Sequence, residues 1–322
     1  MQGFSAILGQ PNAVNILRRG IDSGRIAHAY LFAGPAGLGK KLTALTFARA
    51  LNCESEVKPC DSCVSCQKAI HSNHPDIVHL KPEGLSFKIE QARELQKMVH
   101  SRVYEGNYKV FILEDMHKAT LQASNSLLKT LEEPPGNSVF ILISENPNAL
   151  PQTVLSRCQR VNFAPLPVEI IQDFLVKRGY DSTKARQAAV LSLGSLGRGL
   201  EIIENEKFLR NRQQALEFLQ VSINRNYFHL FKVIEAIDKD KTETRLLLEQ
   251  MLFILRDLCI EDLYKQQNQE YNNPDPKVKL ELSDDMARKA IDLVIWASDL
   301  AKGQTNNKLL LDVLGNRLGR LA

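Results

Sequence analysis

The sequence predicts an α/β fold, a parallel sheet covered by helices, followed by an all-helical second half. Three observations predict it. Short apolar runs alternate with helical patterns through the first half, a glycine-rich loop joins one of those runs to a helix, and strand-like runs cease after a proline-marked linker near residue 165.

The run from Ala29 to Ala33 is apolar throughout and ends at the glycine-rich turn, so it reads as a buried first strand. Leu42 to Leu51 follows at helical spacing without Gly or Pro. Asp76 to Leu80 reads as a second strand, Phe87 to Arg102 as a helix and Lys109 to Leu113 as a third strand. A helix over Thr120 to Leu131 is stopped by Pro134 and Pro135, and Ser138 to Ile143 is a fourth strand. Pro165 and Pro167 mark the linker. A small helical domain is expected from Val168 to about Asn205, punctuated by Gly194 and Gly197. Amphipathic stretches then run over Arg212 to Ile223, Phe228 to Ile237, Arg245 to Lys265 and Asp284 to Lys302, with a polar surface loop expected over 266–276. The domains expected are therefore 1–165, 166–207 and 208–322.

The 322 residues suffice for two or three domains, and a formal charge of +4 permits contact with a polyanion without arguing for one. Arg18, Arg19, Lys97 and Arg102 are basic, but the sequence does not put them on one surface. No segment approaches the roughly 20 apolar residues of a membrane span. The first dozen residues lack a basic stretch followed by a long apolar run, so a cytoplasmic location is expected. Six cysteines in such a chain read as thiols or metal ligands rather than as a disulfide framework.

Gly34, Gly37, Gly39 and Lys40 fall at the spacing of a phosphate loop, between a strand and a helix as that motif requires. Its glycines let backbone N–H groups turn toward phosphates, the helix N-terminus adds positive potential, and Lys40 would reach the β- and γ-phosphates of ATP or ADP. The next residue should carry a hydroxyl for Mg²⁺, and here it is Lys41. Thr43, two residues on, lies about 200° around the helix and does not take its place. At the end of the third strand stand Glu114 and Asp115, both carboxylates but in reverse of the usual order for holding Mg²⁺ and polarising water. Positioning is sensitive to about 1 Å, so weak hydrolysis at most is expected.

Cys53, Cys60, Cys63 and Cys66 form C-x₆-C-x₂-C-x₂-C, a set of four soft ligands suited to tetrahedral, structural Zn²⁺. An iron–sulfur cluster or plain thiols are the alternatives. His71 and His74 lie just downstream and read as ordinary polar residues, because four thiolates already close a shell. Cys158 and Cys259 stand apart.

The segment from Asn125 to Pro135, with Leu-Leu-Lys-Thr-Leu-Glu-Glu-Pro-Pro at its heart, and the segment from Leu150 to Cys158, ending Ser-Arg-Cys, resemble the bacterial clamp-loader AAA+ family of DNA polymerase III. Arg25 to Phe32 ahead of the phosphate loop and the cysteine module behind it fit the same family. The resemblance is strong over residues 1 to about 165 and continues to the end, where Asn306 to Asp312 is similar to the family's last collar helix. Lys41, the reversed acids, and a Gly-Ser-Leu-Gly-Arg sequence ending at Arg198, one residue longer than the family's sensor-2 pattern, place the resemblance on the delta-prime branch.

That resemblance implies an AAA+ P-loop domain with an inserted zinc module, a small helical lid and an all-α collar. It implies an accessory subunit of the DNA-directed DNA polymerase holoenzyme. Its partners would be gamma/tau-type and delta-type subunits in a hetero-pentamer, a sliding clamp and primer–template DNA bound without sequence preference. Arg157 would act in trans as an arginine finger on a neighbour's ATP, and Arg198 would be the sensor-2 residue. Ser144 falls in the sensor-1 region. The rival readings are a gamma/tau-type ATPase subunit, a free-standing P-loop NTPase, and a zinc-ribbon nucleic-acid module.

Overall fold

The computed structural model describes residues 3–84, 86–237, 241–266, 280, 282–303 and 305–321. The chain divides into two compact units, Met1–Leu200 and Glu201–Ala322. No helix among the described residues is long and apolar enough to cross a membrane.

In the first unit the elements run α1 (Pro11–Ser23), β1 (Ala29–Ala33), α2 (Lys40–Leu51), α3 (Val64–Ile70), β2 (Ile77–Leu80), α4 (Ile89–Val99), β3 (Lys109–Leu113), α5 (Leu121–Glu132), β4 (Ser138–Ser144), α6 (Gln152–Leu155), β5 (Gln159–Asn162), α7 (Val168–Lys177) and α8 (Ser182–Leu191), and α9 (Leu196–Glu204) begins in it and ends past its boundary. The five strands form one parallel sheet in the order β2-β3-β4-β1-β5. β1, β3 and β4 are buried at every position, which is why their sequences are apolar without alternation.

The sheet's two faces still separate at period two. Tyr30, Phe32, Val110, Ile112 and Ile141 join one core with α1 and α2. Leu31, Phe111, Phe140 and Leu142 join the other with α4 and α5. Aromatic pairs sit in both layers: Tyr30 meets Phe47 edge-on at 5.2 Å, and Phe111 stacks on Phe140 at 5.2 Å. Each such fully buried side chain contributes roughly 1.5–3 kcal/mol.

Four elements of this unit, α1, α3, α6 and β5, lie outside the runs read from the sequence. In β5 only Val161 is buried, so no apolar run marks it; it forms because β1 offers it an edge. α1 begins at Pro11 and ends at Gly24, whose φ of 67° is the left-handed stop favoured by glycine. α3 is seven residues long and starts inside the cysteine cluster.

The second unit is a bundle of α10 (Glu206–Ile223), α11 (Tyr227–Ala236), α12 (Lys241–Gln266), α13 (Asp284–Ala301) and α14 (Asn307–Gly319) around one core that includes Phe218, Leu255, Val294 and Leu314. Gly315 and Gly319, four residues apart on α14, make close approach possible. A Cβ on Gly315 would stand 2.6 Å from Leu230, and one on Gly319 2.7 Å from the Ser222 carbonyl. The amphipathic stretches expected from sequence fall within these helices. Apart from Gln266, which ends α12, the loop expected over 266–276 lies outside the described residues.

Candidate nucleotide and metal sites

Strand register decides which side chains meet. Ala33 of β1 pairs with Ser144 of β4, and Leu142 of β4 pairs with Leu113 of β3. The residues that follow these strand ends, Gly34, Glu145 and Glu114, therefore gather along the carboxyl edge of the sheet, where open α/β sheets bind ligands.

The loop from Gly34 to Lys40 is shaped by glycines at positive φ, 71° at Gly37 and 83° at Gly39. Among the described residues, no backbone N–H from Gly37 to Lys41 donates to a backbone carbonyl. These are unspent donors at the N-terminus of α2, as a phosphate cradle needs. The Ser144 hydroxyl is fully buried beside the loop and has no hydrogen-bond partner, a second group suited to an incoming polar ligand. Lys40 is 6% exposed and donates to the carbonyls of Gly34, at 2.6 Å, and Pro35. Burial holds its pKa below the ordinary lysine value, against the opposing pull of Glu145 and Asp115. These residues fit the phosphates of a nucleotide.

The lid side of this cradle comes from α9. The N–H of Gly197 donates to the Gly37 carbonyl at 3.1 Å, and a Cβ on Gly37 would meet the Ser195 hydroxyl at 2.1 Å. Arg198 lies in the first turn of α9, its N–H held by the Ser195 hydroxyl at 3.2 Å. Gly37 and Gly197 thus let the first turn of α9 rest directly on the phosphate loop.

The Mg²⁺ half of the site is different. Lys41 Nζ lies 2.9 Å from Glu114 Oε1, and His79 Nε2 of β2 lies 2.7 Å from the same oxygen, contacts that are electrostatic rather than well-directed hydrogen bonds. Asp115 sits at φ 52° and pairs with Lys118 at 2.6 Å. The Thr43 hydroxyl donates to the Gly39 carbonyl at 2.9 Å. No hydroxyl follows Lys40 and each acid faces a lysine, so the residues present do not fit a divalent ion. His79 was not singled out by the sequence, because its neighbour Glu114 is 35 positions away and is brought to it only by the β2–β3 register.

Arg157 follows α6 and is partly exposed. Its guanidinium contacts Glu132 of the Glu-Glu-Pro-Pro segment and donates to the Thr153 carbonyl at 2.7 Å. The adjacent Cys158 packs on the core, and burial pushes its thiol up to about 12.

The sulfurs of Cys53, Cys60, Cys63 and Cys66 all lie within 4.8 Å of one another. A tetrahedral ion with Zn–S bonds of about 2.3 Å needs sulfurs about 3.8 Å apart, so the cluster can hold one. Backbone N–H groups of Cys60, Cys63 and Cys66 point at the sulfurs of Cys53, Cys60 and Cys63 at 3.3–3.4 Å, the donors that stabilise thiolate charge. Hydrogen bonds from Ser62 and Cys63 lower the Cys60 thiol to about 6, whereas burial raises those of Cys53 and Cys66.

The surroundings of the cluster hold other parts of the unit in place. Asp61 accepts from the N–H of Gly3 at 2.6 Å and pairs with Arg49 at 3.3 Å. His71 is exposed, while His74 is buried, its Nε2 3.1 Å from Ser65 Oγ and its Nδ1 accepting from the N–H of Asp76. Arg18, Arg19, Lys97 and Arg102 are all exposed; Arg18 lies over the Phe4 ring.

A strand–phosphate-loop–helix unit, acids at the end of a parallel strand one removed from it and a helix resting on the loop define a P-loop protein of the AAA+ class. Comparison with known proteins narrows the class. Residues 9–167 match the family described as DNA polymerase III, delta subunit. DNA polymerase III subunit delta' of Bacillus subtilis is 34% identical over 254 residues, 77% of each chain. Subunit tau of Escherichia coli is 36% identical over 173 residues, 53% of this chain and 27% of tau. Among solved structures, a DNA polymerase III gamma subunit-related protein from Thermotoga maritima aligns over 96% of this chain and 99% of its own with a TM-score of 0.56 at 17% identity, a likeness of fold. The chain belongs to the clamp-loader family of DNA polymerase III, on its delta-prime branch.

Proposed function

We propose that this clamp-loader subunit assists catalysis at a neighbour rather than turning over nucleotide itself. Its own site would bind ATP or ADP with little or no hydrolysis, and Arg157 would act in trans on the ATP of an adjacent gamma/tau-type subunit. The observation that carries this reading is the engagement of Glu114 by Lys41 and His79, which takes up the carboxylate that the motif would present to a catalytic ion. Arg157, by contrast, is partly exposed and tethered by an ion pair of the kind worth about 0–1 kcal/mol, so a partner can claim it at small cost.

The domains in this proposal are an AAA+ core over 1–165, a lid over 166–207 and a collar over 208–322. The four cysteines would carry a structural Zn²⁺. Partners are gamma/tau- and delta-type subunits in a hetero-pentamer, the sliding clamp, and primer–template DNA contacted through phosphates in a salt-sensitive way. The location is cytoplasmic.

The test is ATP turnover by the complex reconstituted with its partner subunits, clamp and primed DNA, with this chain as wild type or Arg157→Ala. An arginine finger contributes about 10³ to 10⁵ in rate, so a fall of at least about a hundredfold with assembly intact is expected. An unchanged rate in an intact complex would remove Arg157 from the reaction. Retained turnover at this chain's own site, with the partners' sites disabled, would favour the gamma/tau-type reading.

A further inference from the structure

We infer that Lys41 is the resident cation of this nucleotide site, and that the site takes a nucleoside diphosphate without Mg²⁺. The inference rests on reading residues 34–40 as a phosphate loop. Lys41 stands where the motif requires the metal-binding hydroxyl, and its ammonium lies 2.9 Å from Glu114, the acid that would otherwise face the ion. His79 Nε2 lies 2.7 Å from the same oxygen. Two other motif positions that could supply an oxygen are engaged as well, Thr43 with the Gly39 carbonyl and Asp115 with Lys118.

A divalent ion entering here would meet a fixed positive charge a few ångströms away and would have to strip Glu114 from two partners. The phosphate-binding half remains equipped. The N–H groups from Gly37 to Lys41 are free of backbone acceptors, Lys40 is at the loop, and the Ser144 hydroxyl is buried and unpaired beside Gly34. A cradle that supplies donors and its own monovalent cation, but no metal ligands, suits the less highly charged diphosphate. ADP also holds Mg²⁺ less tightly than ATP does, so more of it is metal-free. Lys41 is exposed on α2 and replaceable without disturbing the core.

The experiment is calorimetric titration of the full chain with ADP, in nominally Mg²⁺-free buffer and in millimolar Mg²⁺. A chelator is avoided because it would attack the cysteine cluster. For the wild type, Kd should differ by less than about twofold between the buffers. In Lys41→Thr, binding should weaken by about tenfold or more without Mg²⁺ and recover when it is added, since a hydroxyl and a released Glu114 recreate a metal site. Wild-type binding tightened tenfold by Mg²⁺, no ADP binding in either buffer, or a Lys41→Thr chain indifferent to Mg²⁺ would each overturn the inference. Turnover with Arg157→Ala is read in the complex and is independent of this titration, so either conclusion can fail alone.

Discussion

Replacing Asp76 with alanine should unfasten the turn at 104–106 from the start of β2. Asp76 is 1% exposed and stands one residue before β2. Its carboxylate accepts from the N–H groups of Tyr104, Glu105 and Gly106 at 2.7, 2.8 and 2.9 Å, fixing the turn that leads into β3. Hydrogen bonds to a charged group contribute about 1.5–3 kcal/mol each when buried. Tyr104 and Glu105 are exposed, so water would recover part of the loss after truncation. A net cost of about 3 kcal/mol follows, a large share of the roughly 5–15 kcal/mol that stabilises a domain.

The assay is hydrogen exchange of peptides covering 104–113 across a urea series, because the single tryptophan, Trp296, lies in the second unit and does not report on this one. The pH dependence has a definite sign. Burial alone would raise the Asp76 pKa, but the N–H groups of Glu105, Gly106 and Tyr104 outweigh it and hold the carboxyl below its ordinary value. A depressed folded pKa means the stabilisation is complete above about pH 4 and is lost as pH falls through the folded value. The gap between wild type and Asp76→Ala should thus be full at neutral pH and narrow in acid, and comparing the two chains cancels their shared loss of metal. A gap under about 1 kcal/mol at neutral pH, or one that widens on acidification, would refute this account of the turn.

Two further outcomes are expected. Cys63→Ser should abolish stoichiometric zinc, read by elemental analysis, and lower the melting temperature of the first unit, because binding of this kind contributes on the order of 10 kcal/mol to local folding; unchanged metal and melting would defeat the zinc assignment. Glu132→Gln should leave turnover of the reconstituted complex unchanged or raise it by up to about fivefold, since the tether on Arg157 is a partly exposed ion pair; a tenfold fall would mean that Glu132 positions the arginine rather than restraining it.

The two acids and the lysine illustrate how local and global information divide. That residue 41 lacks a hydroxyl and that Glu114 precedes Asp115 are facts of the chain, and they point to a defective metal site. That the lysine occupies the acid, and that His79 shares it, depends on β1, β4, β3 and β2 lying side by side in one register. The same holds at Arg157, whose Ser-Arg-Cys context is local while its contact with Glu132 spans 25 positions.

By itself the sequence determined the phosphate loop, the four-cysteine cluster, the strands β1 to β4 and the helical second half. Each is encoded in spacing over a few residues: glycines that permit positive φ, soft ligands with two or six residues between them, apolar runs, and periodicity near 3.6. Only the tertiary structure decided the fifth strand, the seat of α9 on Gly37, and the ties from Asp61 and Asp76 to distant backbone N–H groups. Those features rest on polar groups finding partners across 28 to 160 positions of chain. Such pairings leave no periodic trace, because the desolvation cost that enforces them arises only once the sheet has brought the partners together.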